Sequence, residues 1–84
     1  MTITKIDKEY FLRARLKARP NDITNRVDLA ILLMQRGRFI DLQEAEAHLL
    51  KCIKQDSKSG ILWYNLGLCR HLMDDYEGSE EAIS

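Results

Sequence analysis

An all-α chain of antiparallel helix-turn-helix repeats is predicted by three observations. One pattern recurs at an offset of 37 residues, apolar residues fall at helical intervals, and breaks at Pro20, Gly37 and Ser57 to Gly60 cut the chain into helix-sized pieces. Shifting by 37 takes Val27 to Tyr64, Leu29 to Leu66, Ala30 to Gly67, Ile31 to Leu68, Phe39 to Tyr76, Glu44 to Glu81 and Ala45 to Ala82. Small residues meet small ones and apolar meet apolar. A fixed period of this size marks architectures in which each unit buries its apolar face only by stacking on its neighbours.

The elements follow in order. Thr4-Lys5-Ile6-Asp7 has the form of a capping box, so a first helix is expected over 5–18, with Ile6, Tyr10, Phe11, Ala14 and Ala18 at helical spacing and Pro20 ending it. Asn21-Asp22 supplies the cap of a second helix that runs to about Arg36, where Gly37 can take the left-handed conformation. Val27, Leu29, Ala30, Ile31, Leu32, Leu33 and Met34 nearly encircle that helix, the signature of an element sandwiched between neighbours. Asp41 to Glu44 repeats the cap-to-acid spacing and starts a third helix with Ala45, Leu49, Cys52 and Ile53 on one stripe, ending near Asp56. A fourth helix is expected from about Ile61 to Met73, a turn at Asp74-Asp75, and a fifth helix from Ser79-Glu80-Glu81.

Within the period, Trp63-Tyr64-Asn65-Leu66-Gly67 resembles the W-x2-L-G opening of the tetratricopeptide repeat, with Asp75-Tyr76 and Glu81-Ala82-Ile83 where that family turns into its second helix. The earlier copy keeps Gly37-Arg38-Phe39 and Glu44-Ala45, with Arg26 in the place of the Trp and Ala30 in the place of Gly67. Arg19-Pro20-Asn21-Asp22 looks like the punctuation that closes a unit of this family. The family period is about 34 residues, so three extra residues are read into the turn between the helices of each unit, as Asp41-Leu42-Gln43 and Gly78-Ser79-Glu80. Arg70 stands where the family favours Tyr. The resemblance implies an α-solenoid fragment: residues 1–21 a leading helix, 22–58 a first repeat, and 59–84 a second, incomplete repeat cut short inside an expected helix.

The family's first helices line a concave groove. Carried onto this chain, that places Val27, Ile31, Met34, Tyr64, Leu68 and His71 in a partner-binding groove, at i, i+4 and i+7 of their helices. Its apolar lining suits an amphipathic helix or an apolar peptide better than a C-terminal carboxylate. The resemblance therefore implies a non-enzymatic protein–protein interaction scaffold. Two alternatives belong to other classes: a module that homo-oligomerises, as a homodimer through its C-terminal end, and a basic-faced regulatory module touching nucleic acid.

Composition limits the rest. Eighty-four residues, 45% hydrophobic and 31% charged, make one small ordered domain. There is no apolar run of the ~20 residues a membrane span needs and no apolar leader at the N-terminus, so a cytoplasmic protein is expected. Net charge is zero, but residues 1–40 carry nine Lys or Arg against four acids and residues 41–84 four against nine, giving +5 and −5 halves. Arg13, Arg15, Lys17, Arg19 and Arg26 compose the candidate basic face; without interleaved aromatics it is a poor single-strand platform, and a solvated face complementary to neighbouring acids is the plainer reading. His48 and Cys52, with Cys69 and His71, have spacing a metal would accept, yet both Cys fall where the repeat wants small buried residues, so neither metal nor cofactor is expected. No nucleophile elbow, phosphate loop or paired carboxylates suggest catalysis.

Overall fold

Four α-helices succeed one another in a computed structural model of the chain: α1 (Lys5–Ala18), α2 (Ile23–Arg36), α3 (Phe39–Gln55) and α4 (Gly60–Ile83). The structure describes the backbone of residues 5–83 and the side chains of residues 7–76, and no strand occurs among the described residues. Short connections reverse the chain each time, so α1 packs on α2, α2 on α3 and α3 on α4, with a slight contact between α2 and α4. The proposed cap Thr4, the side chain of Ile6 and the side chains of Ile83 and its neighbours lie outside the described residues.

The boundaries of α2 have clear chemical causes. Asp22, in extended conformation, accepts a hydrogen bond from the Asn25 backbone N–H through Oδ1 at 3.2 Å, satisfying one of the free donors at a helix start. At the other end Gly37 has φ 78°, and its N–H donates to the Leu33 carbonyl at 3.1 Å. The turn to α3 is then only Gly37-Arg38. Asp41 does not cap α3, as expected from sequence, but sits in its first turn, where the Arg38 guanidinium donates to its carboxylate at 2.7 and 3.3 Å. An acid is favourable there because the helix start carries partial positive charge. Asp41-Leu42-Gln43 thus lengthens a helix instead of a turn.

Two further expectations are corrected. Asp74-Asp75 forms no turn and Ser79 starts no fifth helix, because α4 runs unbroken from Gly60 to Ile83. The chain's one proline is Pro20, and the glycine inside that stretch, Gly78, costs only about 1 kcal/mol relative to Ala in a helix. The face assigned to α1 is also reversed. Tyr10 and Phe11 are 71% and 56% exposed, Ala14 and Ala18 lie on the surface, and Leu12 with Leu16 makes the contact to the core. Two leucines spaced i and i+4 bury a compact branched surface without a polar tip, whereas Tyr10 turned inward would also have to satisfy its hydroxyl.

The core itself follows the predicted stripes. Leu29, Ala30, Leu32, Leu33 and Met34 of α2 are buried, as are Ala45, Leu49, Cys52 and Ile53 of α3. α4 contributes Leu62, Leu66 and Cys69. Gly67, expected as a close packing point, is exposed instead, and a Cβ there would meet nothing within 4 Å.

Candidate functional site

The six residues of the expected groove fall in two groups. Val27, Ile31 and Met34 are the inner group: Val27 and Ile31 are half-buried, Met34 is buried, and Val27 packs against the core. Their partners at +37, Tyr64, Leu68 and His71, are exposed along α4, Tyr64 at 69% and Leu68 at 39%. The helical spacing explains the alignment within each group, and the direct contact of α2 with α4 sets the two groups on neighbouring helices. His71 Nε2 lies 3.9 Å from Asp75 Oδ2 one turn on, both side chains being open to water.

Two open clefts lie elsewhere. One, of about 220 Å³, is lined by Gly37, Leu42, Leu72, Asp75 and Tyr76, next to an edge-to-face contact of the Phe39 and Tyr76 rings at 5.9 Å. Another is formed by Arg13, Leu16, Lys17, Pro20 and Leu29 where α1 meets α2. None of the six groove residues lines either of them.

A polar chain crossing three helices went unread in the sequence. Glu9 of α1 binds Arg36 of α2 and, at 2.9 Å, Arg13 one turn on. Arg13 reaches across to Glu44 of α3 with a two-pronged pair at 2.6 and 2.9 Å. Glu44 in turn lies 3.0 Å from His48 Nε2, and His48 Nδ1 lies 2.9 Å from the buried Arg26 guanidinium, which also donates to the Pro20 carbonyl at 2.8 Å. Arg26 can only donate, so Nδ1 accepts, and the ring proton must sit on Nε2 and point at Glu44. A neutral His48 satisfies both contacts. Burial pushes its pKa down, with Arg26 and Arg13 acting in the same direction against Glu44. Hydrogen bonding from Arg13 holds Glu44 down to about 2, and Arg36 followed by Arg13 lowers Glu9. Arg26 Nε remains buried without a hydrogen-bond partner. The spacing i, i+4 of Glu9 with Arg13 and of Glu44 with His48 was legible; the links between helices were not.

This network divides the expected basic face. Arg26 is buried and Arg13, though exposed, is tied to Glu9 and Glu44, while Arg15, Lys17 and Arg19 are exposed with no ion pair among the described residues. The opposed charges of the two halves meet within one chain, at Arg13–Glu44, Arg36–Asp41 and Arg38–Asp41. Cys52 and Cys69 are both free and fully buried, their thiols directed at the carbonyls of Ile23 and Leu42, and burial raises both pKa values. His48 is engaged as above and His71 is exposed, so the four residues do not converge; among the described residues no group of three or more His, Cys, Asp or Glu is set to hold a metal ion. No helix of the described residues is long and apolar enough to cross a membrane.

Compared with protein-family models, curated proteins and solved structures, the chain matches none of them.

Proposed function

We propose that this chain is a non-enzymatic, tetratricopeptide-like interaction scaffold of the cytoplasm that receives a partner helix or apolar peptide along the neighbouring faces of α2 and α4. The observation that carries the reading is the exposure of Tyr64 and Leu68, two large apolar residues one turn apart on a helix whose opposite side is buried. Val27 and Ile31, half-buried on the neighbouring helix α2, would extend that strip. Such a strip takes an amphipathic helix through anchors one or two turns apart. It has no cluster of basic groups to hold a carboxylate, and the loss of Arg13 and Arg26 to internal bonds leaves the nucleic-acid reading only three adjacent bases.

The test is a titration with synthetic amphipathic helical peptides, followed by amide chemical shifts. Shifts should concentrate at Val27, Ile31, Met34, Tyr64, Leu68 and His71, and Leu68→Asp should abolish them while circular dichroism stays unchanged. Shifts that map elsewhere, or binding that survives Leu68→Asp, defeat the reading.

A further inference from the structure

Helix α4 lacks a neighbour that α2 has. On α2, Arg26, Ala30 and Leu33 lie at i, i+4 and i+7 on the side where Arg26 meets His48 of α3, and all three are buried. Their equivalents at +37 are Trp63, Gly67 and Arg70. Trp63 is 50% exposed, its indole N–H already satisfied by the Ser57 carbonyl at 2.7 Å, and Gly67 and Arg70 are open. Apart from the pair of Arg70 Nε with Glu46 Oε2 of α3 at 2.9 Å, nothing among the described residues covers this side of α4.

Helix α1 has the reciprocal surplus. Shifting it by 37 onto α3 brings Leu12 to Leu49, Leu16 to Ile53 and Glu9 to Glu46, so the packed face of α1 matches one packed face of α3. But α3 has a second packed face, Ala45, His48 and Cys52, through which it contacts α2 at Arg26 and Ile23. The matching residues of α1 are Lys8, Phe11 and Arg15, and all are exposed.

We propose that α1 of one copy docks on the open side of α4 of a second copy, antiparallel to it as α3 is to α2, in a heterologous head-to-tail contact. The substitutions between the two interfaces compensate one another. Where Arg26 meets His48 within the chain, Trp63 would meet Phe11 between chains, an aromatic pair in place of a polar one. Where Ile23 meets the small Cys52, Gly60 would meet the long Arg15, and nothing lies within 4 Å of a Cβ at Gly60. The direction follows from the internal pair: Cys52 lies on Ile23 and His48 on Arg26, so Arg15 falls on Gly60 and Phe11 on Trp63, the two helices running in opposite senses. A heterologous contact leaves one free face at each end, so association is open-ended.

The inference is independent of the groove and is tested by sedimentation of the 84-residue chain with two variants, Phe11→Glu and Gly67→Arg. Wild-type mass should rise with concentration beyond that of two chains. Each variant alone should stay monomeric with wild-type helicity, since both positions face solvent, and an equal mixture should form a species of two chains and stop there, because it joins one intact α1 face to one intact α4 face. A wild type that stays monomeric, a variant that still self-associates, or a mixture that does not pair overturns the proposal. Should either variant lose helicity, the single tryptophan decides. Acrylamide quenching of wild-type Trp63 must then fall as mass rises, whereas quenching that is unchanged, or already low in a monomer, places the contact elsewhere and defeats the idea.

Discussion

Helix α2 and residues 60–73 of α4 carry the same pattern 37 residues apart, and the fold treats them differently. On the shared side Leu29 and Leu66 are both buried, as are Leu32 and Cys69. On the other side the pairs separate: Ala30 is buried and Gly67 exposed, Leu33 is buried and Arg70 exposed, Arg26 is 7% exposed and Trp63 50%. The difference comes from the number of neighbours. α2 has α1 on one flank and α3 on the other, whereas α4 has α3 as its main neighbour. Equal patterns thus acquire unequal energetic weight, since burial and not residue type sets the cost of a change.

That contrast is breakable at each equivalent pair. The largest effect is expected at Leu33→Ala, which empties a fully buried site and should cost about 2–5 kcal/mol in denaturant unfolding. Next, Ala30→Leu should overpack the core by about 1–3 kcal/mol, whereas Gly67→Leu at the equivalent position, with open space around its Cβ, should not destabilise. If both substitutions cost the same in thermal melts, the two helices are equally enclosed and the contrast is wrong.

The polar chain that ties α1, α2 and α3 has no counterpart on α4 among the described residues, and pH separates the regions. Because folding lowers the His48 pKa, the unfolded chain takes up that proton first, so stability should fall as pH drops below the ordinary histidine value of 6.5. A second loss should follow below the ordinary glutamate value of 4.5, as Glu44, held to about 2, and Glu9 are protonated. His48→Gln keeps an acceptor for Arg26 and a donor for Glu44 without the titration. Melts across a pH series should show that it removes the first loss and retains the second.

The smallest effects belong to α4. Gly67→Ala should stabilise by about 0.5–1 kcal/mol, because it removes a glycine from a helix interior without meeting any atom. Arg70→Ala should cost under about 1 kcal/mol, since its bond to Glu46 at 2.9 Å is solvent-screened. A loss at Arg70 as large as that at Leu33, measured in the monomer, would mean that α4 is covered on that side within one chain.

Much of the architecture was legible along the chain. Asp22 and Gly37 bound α2 through their own backbone preferences, the apolar encirclement of α2 marked a helix enclosed between others, and the small residues Ala30, Ala45 and Cys52 marked close approach. For the candidate groove, spacing placed Tyr64, Leu68 and His71 together on one face. These features are local: they depend on φ and ψ, on the helical period and on hydrogen bonds a few residues long.

Tertiary structure decided what local rules leave degenerate. On α1, Tyr10-Phe11 and Leu12-Leu16 both offer apolar residues at helical spacing, and only the presence of α2 selected the leucines for burial. Whether Gly67 is a packing point depends on a helix lying against it, and α4 continues straight past Asp74-Asp75 where the repeat pattern implied a turn. The partners of Arg26 were equally hidden, since the residue that takes the place of Trp63 finds His48 across 22 positions of sequence. The sequence by itself determined where α2 begins and ends and which residues share a face, because those follow from short-range geometry. Which face is covered, and which charges are consumed within the molecule, depends on the surfaces that meet when the helices assemble.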